Sequence, residues 1–384
     1  MAAPVFETPA VIITEAEELN QLVDTLLTYD QVAIDTESDN FYRYHKRICL
    51  VQITAKGVDY IIDPLKTGDL SGLGRLLTST DIEKVFHGGE NDLTLFMDTL
   101  GIRVCAPYFD TYIAAQIAGE QKVGFGALVG QYFDMKLDKR FQLHDWGERP
   151  ISPQAMAYAR GDTHFLLPLR DQIWSKVAER GREDHALEEF DRLLAKVRPS
   201  APFDPNSCLR IKGTRGMKPR QLTVLMQLHM MRDAKANELN LAPFRVLANE
   251  LILALSKSQP ATQAALEELP LYRDRGVRRL SDRIIEAILI GQRADAPMPK
   301  APPKTGHGYD KDLEERLRAL KGWRKGACTT LGMPPGVLAS NAILTEIAAA
   351  KPADKDALET LQLVRQWQVN EFGDQWLDIL KTLP

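Results

Sequence analysis

Long apolar runs and paired cysteine motifs are both missing from this chain of 384 residues. No stretch of 18 apolar residues occurs, so the sequence predicts no transmembrane helix and no membrane partner. The N-terminus also lacks the basic and apolar regions of a secretory signal peptide. The four cysteines are widely separated, without the C-x-x-C spacing of a zinc or redox site: Cys49, Cys105, Cys208 and Cys328. We therefore expect a cytoplasmic protein with reduced thiols.

An excess of positive charge is also missing, because the formal net charge is −4. A nucleic-acid-binding function would consequently need a local basic patch rather than a general positive field. The G-x-x-x-x-G-K-[ST] loop that cradles nucleotide phosphates does not occur either, which disfavours a helicase.

Two proline-rich stretches, 199–207 and 295–308, have the composition of linkers. At roughly 150 residues per domain, a chain of this length favours two or three domains. The predicted organisation is a first domain at 1–200, a second at 208–294, a linker at 295–308 and a third at 309–384.

The first domain shows strands early and helices later. Apolar patterning predicts strands at 10–13, 31–35, 47–54, 58–62 and 84–87. A capping box from Thr14 to Glu17 predicts a helix that continues to about residue 27. Further helices are predicted from residue 91 and over 153–177. Together these segments indicate a mixed sheet covered by helices.

The remaining chain contains an internal duplication. Segments 228–255 and 320–347 each contain an arginine, Arg232 or Arg324, followed by a proline and a Val-Leu-Ala sequence. A gap of one residue aligns the two. We interpret them as two copies of one helical module.

Two carboxylates lie at the end of a predicted strand. Asp35 and Glu37 are separated by one residue, so both project to the same side of a sheet, an arrangement that suits a hard cation. On its own, such a D-x-E triplet is commonly part of a solvated face.

Two later acids have suggestive positions. Asp92 lies at the start of a helix after a short strand, where it could turn toward the sheet edge or simply interact with the helix dipole. Asp162 follows Tyr158 by four residues, so the two share one helix face. The alternative for this pair is a surface acid beside a core tyrosine.

Together these residues form the order D-x-E, D, Y-x-x-x-D. The pattern resembles the DEDD superfamily of 3′→5′ exonucleases and, within it, the ribonuclease D family. Further matches are Leu50-Val-Gln52, His87-Gly-Gly, Phe109-Asp110-Thr-Tyr and Tyr158-Ala-Arg-Gly-Asp162-Thr. The histidine branch of the superfamily has its general base five residues before the last Asp, where this chain has Ala157. The tyrosine branch is therefore favoured.

The two repeats resemble HRDC domains, so the likeness extends over nearly the whole chain. It implies an α/β, ribonuclease H-like nuclease domain followed by two all-α HRDC-like domains. The implied activity is a two-metal-ion 3′→5′ exoribonuclease that releases 5′-nucleoside monophosphates and trims the 3′ ends of precursor tRNA, without an obligate protein partner. The alternatives are a DNA exonuclease and a nucleic-acid-binding scaffold with an inactive nuclease fold, which five intact positions oppose.

Hydrolysis of a phosphodiester is served by two divalent ions about 4 Å apart. Oxygen ligands favour Mg²⁺ or Mn²⁺ over zinc. The resemblance implies that Asp35 bridges both ions, that Glu37 and Asp162 complete one site, and that Asp92 holds the other ion through water. Tyr158 would then orient the attacking water, since a phenol is a poor base.

A basic surface is predicted in the second domain. Between Leu209 and Ala294 there are 15 Lys and Arg against 8 Asp and Glu, a net charge of +7, whereas Tyr309 to Pro384 has a net charge of −1. The second repeat is therefore expected to pack or to shape a ring rather than to bind RNA strongly. Candidate phosphate contacts are Lys212, Arg215, Arg275 and Arg278, with a solvated helical face as the alternative.

Other candidates lie near the acids. Thr36 and His87 are predicted substrate contacts, although a core histidine is an equal alternative for His87. Asp110 is expected to cap a helix rather than to bind metal. Ribonuclease D-like chains often have an aromatic residue directly after D-x-E, whereas this chain has Ser38 and Asp39. The aromatic residues that could substitute are Phe41, Tyr42 and Tyr44.

Overall fold

The computed structural model describes residues 8–300 and 310–384, which form two compact units. The described residues of the first unit lie within Met1–Glu37, Ile48–Pro199 and His307–Pro384, and those of the second within Ser38–Arg47 and Ser200–Gly306. Of the predicted linker at 295–308, residues 301–308 lie outside the described residues. Among the residues described, no helix is both long and apolar enough to span a membrane.

A six-stranded sheet forms the centre of the first unit. Its strands are β1 (Val11–Ile13), β2 (Gln31–Ser38), β3 (Ile48–Ala55), β4 (Val58–Ile62), β5 (Glu83–Phe86) and β6 (Tyr108–Asp110). The order across the sheet is β1-β4-β3-β2-β5-β6. Strands β3 and β4 are antiparallel, while β1 with β4, β2 with β5, and β5 with β6 are parallel. The predicted mixed sheet is confirmed, and β2 continues three residues beyond its predicted end.

Nine α-helices cover this sheet among the described residues 8–199 of the nuclease part. They are α1 (Ala16–Leu26), α2 (Pro64–Thr67), α3 (Leu73–Leu77), α4 (Glu90–Leu100), α5 (Thr111–Ile117), α6 (Phe125–Phe133), α7 (Pro153–His164), α8 (Leu166–Glu179) and α9 (Glu183–Lys196). The apolar side chains of the sheet and of its covering helices form one extended core.

Two helix predictions were wrong in detail. The capping residue of α1 is Glu15 rather than Thr14, since Glu15 has an extended backbone directly before the helix. The capping box is accordingly shifted by one residue, and the Glu18 carboxylate accepts the backbone N–H of Glu15 at 3.3 Å. The single helix predicted over 153–177 is two helices that meet at Phe165. Pro168 has no N–H to donate to the carbonyl of His164, and its ring clashes there, so α7 cannot continue.

The second unit contains the first helical module. Its helices are α10 (Pro219–Leu239), α11 (Pro243–Val246), α12 (Asn249–Ser258), α13 (Gln263–Glu267), α14 (Arg275–Arg279) and α15 (Ser281–Gln292). A separate apolar core forms between them.

Segment Ser38–Arg47, which follows the D-x-E motif, packs on this module. The Arg245 guanidinium lies 3.9 Å from the centre of the Tyr42 ring and donates a hydrogen bond to the Phe41 carbonyl. The Tyr44 hydroxyl donates to Asp233 at 3.0 Å. The Phe41 ring also contacts that of Phe244, with centroids 5.7 Å apart. The first module thus binds all three aromatic residues that could substitute for the aromatic residue after D-x-E.

Asp39, one of the two residues that follow D-x-E in place of an aromatic residue, stabilises this segment. Asp39 is fully buried, and Arg47 donates to its carboxylate at 2.6 Å. The ion pair joins the two ends of the segment, so that Asp39 stabilises the loop conformation.

The second helical module repeats the first. Its helices are α16 (Lys311–Leu331), α17 (Pro335–Leu338), α18 (Asn341–Ala350), α19 (Lys355–Glu359) and α20 (Gln366–Lys381). The first helix has 21 residues in both copies and the third has 10. The predicted duplication therefore holds for the first three helices of each copy, although the first module has six α-helices and the second has five.

The aligned arginines explain why the repeat is visible in the sequence. Arg232 donates to the Leu247 carbonyl and to Asn249, at 3.0 and 2.8 Å. Arg324 donates to the Ala339 carbonyl and to Asn341, at 2.6 and 2.9 Å. In each copy the long first helix is thus tied to the start of the third helix by the same set of bonds.

The second module packs on α9 within the first unit. Arg365 forms an ion pair with Glu189 at 2.6 Å, and the His185 ring stacks on Trp367 at 4.4 Å. The Glu188 carboxylate accepts the N–H of Gln366 and Trp367 at the start of α20. These contacts agree with the packing role expected from its low net charge.

Candidate active site

Three carboxylates meet beside the carboxyl-terminal half of β2, an interior strand of the sheet. Asp35 and Glu37 lie on alternate positions of β2, and Asp162 lies in the last turn of α7. Their carboxylate oxygens are all within 4.8 Å of one another. The side-chain period of a strand directs Asp35 and Glu37 to one side, as predicted, and α7 supplies the third acid from more than 120 residues later in the chain.

Asp92 is the fourth acid, in the first turn of α4. It is buried, and the hydroxyl of Thr36 donates a hydrogen bond to it. The N-terminal residue that caps α4 is Gly89, so Asp92 is not the helix cap. The Thr36 hydroxyl thus orients the Asp92 carboxylate, and the substrate contact expected of Thr36 stays a prediction.

Tyr158 lies one helical turn before Asp162, on the same face of α7. Burial, together with the charges of Asp162, Glu37 and Asp35, raises the pKa of Tyr158. The phenol therefore remains protonated at neutral pH, so it acts as a hydrogen-bond donor rather than as a base. Its ring lies against that of the buried Trp146, with centroids 6.0 Å apart, a contact that the sequence did not reveal.

Uncompensated negative charge is concentrated at this site. Burial is the main factor that raises the pKa of all four acids. Repulsion from the other acids of the cluster adds to it for Asp35, Glu37 and Asp162, and repulsion from Asp110 adds to it for Asp92. The pKa rises to about 6 for Asp92 and to about 8 for Asp162, and it lies well above the usual value for Asp35 and Glu37. A cation placed among the acids would remove this penalty, and the all-oxygen donor set fits Mg²⁺ or Mn²⁺.

Asp110 holds the loop that leads to Asp92. It caps α5, as predicted, by accepting the N–H of Tyr112 at 2.9 Å. It also accepts the N–H groups of Gly88 and Gly89, both at 2.9 Å, and the Tyr108 hydroxyl at 2.9 Å. This second role was missed, because a cap is a local feature while the bonds to the glycines cross between strands.

Gly88 and Gly89 are each required to be glycine, for different structural reasons. Gly88 has a φ of +66°, which L side chains rarely adopt. A Cβ atom on Gly89 would lie 2.8 Å from the Phe86 side chain and 2.9 Å from the Tyr108 hydroxyl. The His-Gly-Gly sequence therefore lets the chain turn tightly from β5 into α4.

The His87 ring contacts other side chains of the protein. Its Nδ1 lies 2.9 Å from the Thr111 hydroxyl, and its ring contacts those of Tyr112 and Phe125. Burial lowers the pKa of His87 to about 4, so the imidazole is neutral at pH 7. These contacts favour the core histidine over the predicted substrate contact.

The predicted phosphate contacts lie on the first helical module and are solvent-exposed: Lys212, Arg215, Arg275 and Arg278. Arg275 and Arg278 lie on α14, and Lys212 and Arg215 precede α10. Within the described part of the chain, the ion pairs do not include any of these four side chains. Such exposed cations suit either phosphate binding or a solvated face.

Comparison with known families agrees with both halves of this architecture. Residues 10–178 match the model of a 3′-5′ exonuclease domain, and residues 221–288 and 314–380 each match the HRDC domain. A ribonuclease D from Jannaschia sp. is 30% identical, over 88% of this chain and 88% of that protein. A ribonuclease D from Gluconacetobacter diazotrophicus is 29% identical, over 96% of this chain and 92% of that protein.

Solved structures show the same fold. One match is the crystal structure of Escherichia coli RNase D, an exoribonuclease involved in structured RNA processing. The match covers 98% of this chain and 100% of the Escherichia coli chain. Its TM-score is 0.72 and its sequence identity is 24%. The catalytic core of RRP6 from Trypanosoma brucei has a TM-score of 0.68 and 26% identity, over 75% of this chain and 81% of that one.

Proposed function

The chain belongs to the ribonuclease D family of 3′→5′ exoribonucleases, and from that premise we propose how its acidic site works and which RNA it trims. The proposed reaction is hydrolysis of the terminal phosphodiester, with release of a 5′-nucleoside monophosphate. The observation that carries it is that carboxylate oxygens of Asp35, Glu37 and Asp162 lie within 4.8 Å of one another, with the Tyr158 side chain hydrogen-bonded to Asp162.

The four acids would hold two divalent ions. When bound, such ions activate water near neutral pH and stabilise charge on the attacking and leaving oxygens. Asp35, Glu37 and Asp162 supply neighbouring oxygens, and Asp92 adds a buried carboxylate that Thr36 orients. We propose Mg²⁺ or Mn²⁺, because hard cations prefer a site made only of carboxylates.

Tyr158 would orient the attacking water. Its raised pKa keeps the phenol protonated, so it can direct one lone pair of the water by donating a hydrogen bond. Proton removal from water would depend on the bound cations, and the tyrosine itself would not change its charge during the cycle.

The exposed cations of the first helical module would hold the RNA backbone. A net charge of +7 between Leu209 and Ala294 favours binding to phosphates without sequence preference. We further propose that the functional domains follow the boundaries given above: 1–200, 208–294 and 309–384. The second module would then serve to pack on α9 rather than to bind RNA.

The proposed substrate is precursor tRNA with a 3′ extension. The test compares an end-labelled precursor tRNA, an unstructured RNA of equal length and the matching DNA, each with Mg²⁺, Mn²⁺ or EDTA. Stepwise shortening of the precursor that stops near the mature 3′ end supports the proposal. Equal shortening of the unstructured RNA would oppose the tRNA assignment, and preferential shortening of DNA would indicate a DNA exonuclease.

A further inference from the structure

Asp59 on β4 forms a buried polar network with α7. It is 1% exposed, and two basic side chains of α7 reach its carboxylate. Arg160 donates through Nε, and the Nδ1 atom of His164 lies 2.9 Å away. The Thr54 hydroxyl on β3 donates to the same carboxylate at 2.8 Å, and it also lies 2.8 Å from the Thr163 hydroxyl on α7.

One face of α7 carries the two site residues, and the opposite face binds Asp59. Tyr158 and Asp162 are four residues apart and share the face turned to the acidic cluster. Arg160 and His164 are also four residues apart, but they are displaced from the first pair by two positions. At about 100° per residue, this displacement places them about 200° around the helix. The network thus holds α7 from the side opposite its two site residues.

The network reaches the strand beside the one that carries the other acids. Thr54 and Asp59 are paired across β3 and β4. Strand β3 lies directly beside β2, which carries Asp35 and Glu37. A shift of α7 along the sheet would break these bonds and would move the Asp162 carboxylate relative to the other two.

The Asp59 carboxylate is negatively charged although it is buried. Burial alone would raise the pKa of Asp59, but the hydrogen bonds from His164, Arg160 and Thr54 outweigh it and hold this pKa below its usual value. Asp59 is therefore ionised and pairs with Arg160 in a buried environment. Removal of one partner from such a pair leaves an uncompensated charge.

We infer that Asp59 is a positioning residue that fixes α7 on the sheet, and thereby sets Asp162 and Tyr158 against Asp35 and Glu37. The inference deepens the proposed function and rests on it, since those four residues matter as a metal-binding and water-orienting group. Mutation of residues that orient metal ligands without binding the metal themselves typically lowers metal affinity or activity by about 10- to 100-fold.

The test is Asp59→Asn, which removes the charge and keeps the side-chain volume. We expect the affinity for Mn²⁺, measured by calorimetry without RNA, to fall by at least about tenfold. We also expect kcat to fall similarly, while KM for RNA stays within about twofold because α7 is not the proposed phosphate holder.

The matched control is Glu83→Gln. Glu83 on β5 accepts two hydrogen bonds from Arg170 on α8, at 2.8 and 3.0 Å, so this variant also removes an acid–arginine pair between strand and helix. Mn²⁺ affinity and kcat should remain close to the wild-type values. Equal losses in Asp59→Asn and Glu83→Gln would overturn the inference, since they would indicate general destabilisation.

A second variant, His164→Gln, covers the case in which Asp59→Asn does not fold. The His164 side chain is 28% exposed, so its replacement is tolerated more easily. It should weaken Mn²⁺ binding in the same direction and less strongly, and wild-type Mn²⁺ affinity in this variant would oppose the inference. If the wild-type protein binds Mn²⁺ but shortens no RNA, the proposed function fails, while the calorimetric comparison still decides the role of Asp59.

Discussion

The hydroxyl of Thr36 donates a hydrogen bond to the carboxyl of Asp92, across 56 residues of sequence. The middle residue of the D-x-E motif is therefore more than a spacer, because it joins β2 to the first turn of α4. The hydrogen bond from Thr36 favours the ionised form of Asp92, whereas burial raises the pKa of Asp92 to about 6.

Thr36→Val should consequently impair the enzyme most at low pH. Loss of the hydrogen bond raises the pKa of Asp92 further, so more of this acid is protonated between pH 6 and 7 and cation binding weakens. We expect kcat/KM to fall by about tenfold at pH 6 and clearly less at pH 8.5. A pH profile of kcat/KM measures this difference, and a deficit that is constant with pH would contradict the explanation.

Tyr158→Phe should lower kcat by about 100-fold with little change in KM, because the phenol orients water and does not hold the RNA backbone. Steady-state kinetics on a short RNA would separate the two constants. A rise in KM at unchanged kcat would instead assign Tyr158 to substrate binding.

Asp162→Asn should stabilise the metal-free protein while abolishing activity. The folded-state pKa of Asp162 is about 8, whereas the ordinary value is 3.8. Between these values the folded protein binds more protons than the unfolded chain, so the free energy of unfolding falls as pH rises. In EDTA, the variant should melt at least about 2 °C higher than the wild type at pH 8 and equally at pH 4. An equal or lower Tm at pH 8 would contradict the charge argument.

Gly89→Ala should destabilise the fold by about 1–3 kcal/mol, because the added methyl group meets Phe86 and Tyr108. Gly124→Ala is the matched control, since Gly124 has a φ of −69° and open space around the added atom. Thermal melts of both variants would show the difference. Equal Tm values would indicate that the turn before α4 relaxes easily.

Arg275→Ala combined with Arg278→Ala should weaken RNA binding and reduce its dependence on salt. Each lost phosphate contact lowers the salt slope by roughly one. Arg318→Ala with Lys321→Ala removes two exposed cations from the second module and serves as control. Fluorescence anisotropy at salt concentrations from about 50 to 200 mM would compare the two double variants. Identical salt slopes would assign the RNA contacts elsewhere.

The sequence predicted those features that depend on local pattern. The strand that ends in Asp35 and Glu37 was visible because its apolar run and its side-chain period are local. The pairing of Tyr158 with Asp162 followed from helical spacing alone. The repeats were visible because Arg232 and Arg324 make the same bonds in both modules.

Other features depend on contacts that sequence spacing does not reveal. Asp59 pairs with Arg160 across 101 residues, and Asp110 holds glycines that lie 21 and 22 residues earlier. The break between α7 and α8 had a local signal in Pro168, but the continuous apolar pattern obscured it. The role of Thr36 became visible only once β2 and α4 were placed side by side.

A time course on end-labelled RNA with a 3′ extension past a stable stem, with the wild type and with Asp35→Asn, tests the central claim most directly. The wild type should shorten the RNA stepwise from its 3′ end in Mn²⁺ and not in EDTA. Asp35→Asn should leave the RNA intact while it melts at a temperature no lower than that of the wild type. Full activity of Asp35→Asn, or shortening by the wild type in EDTA, would contradict a metal-dependent exoribonuclease at this site.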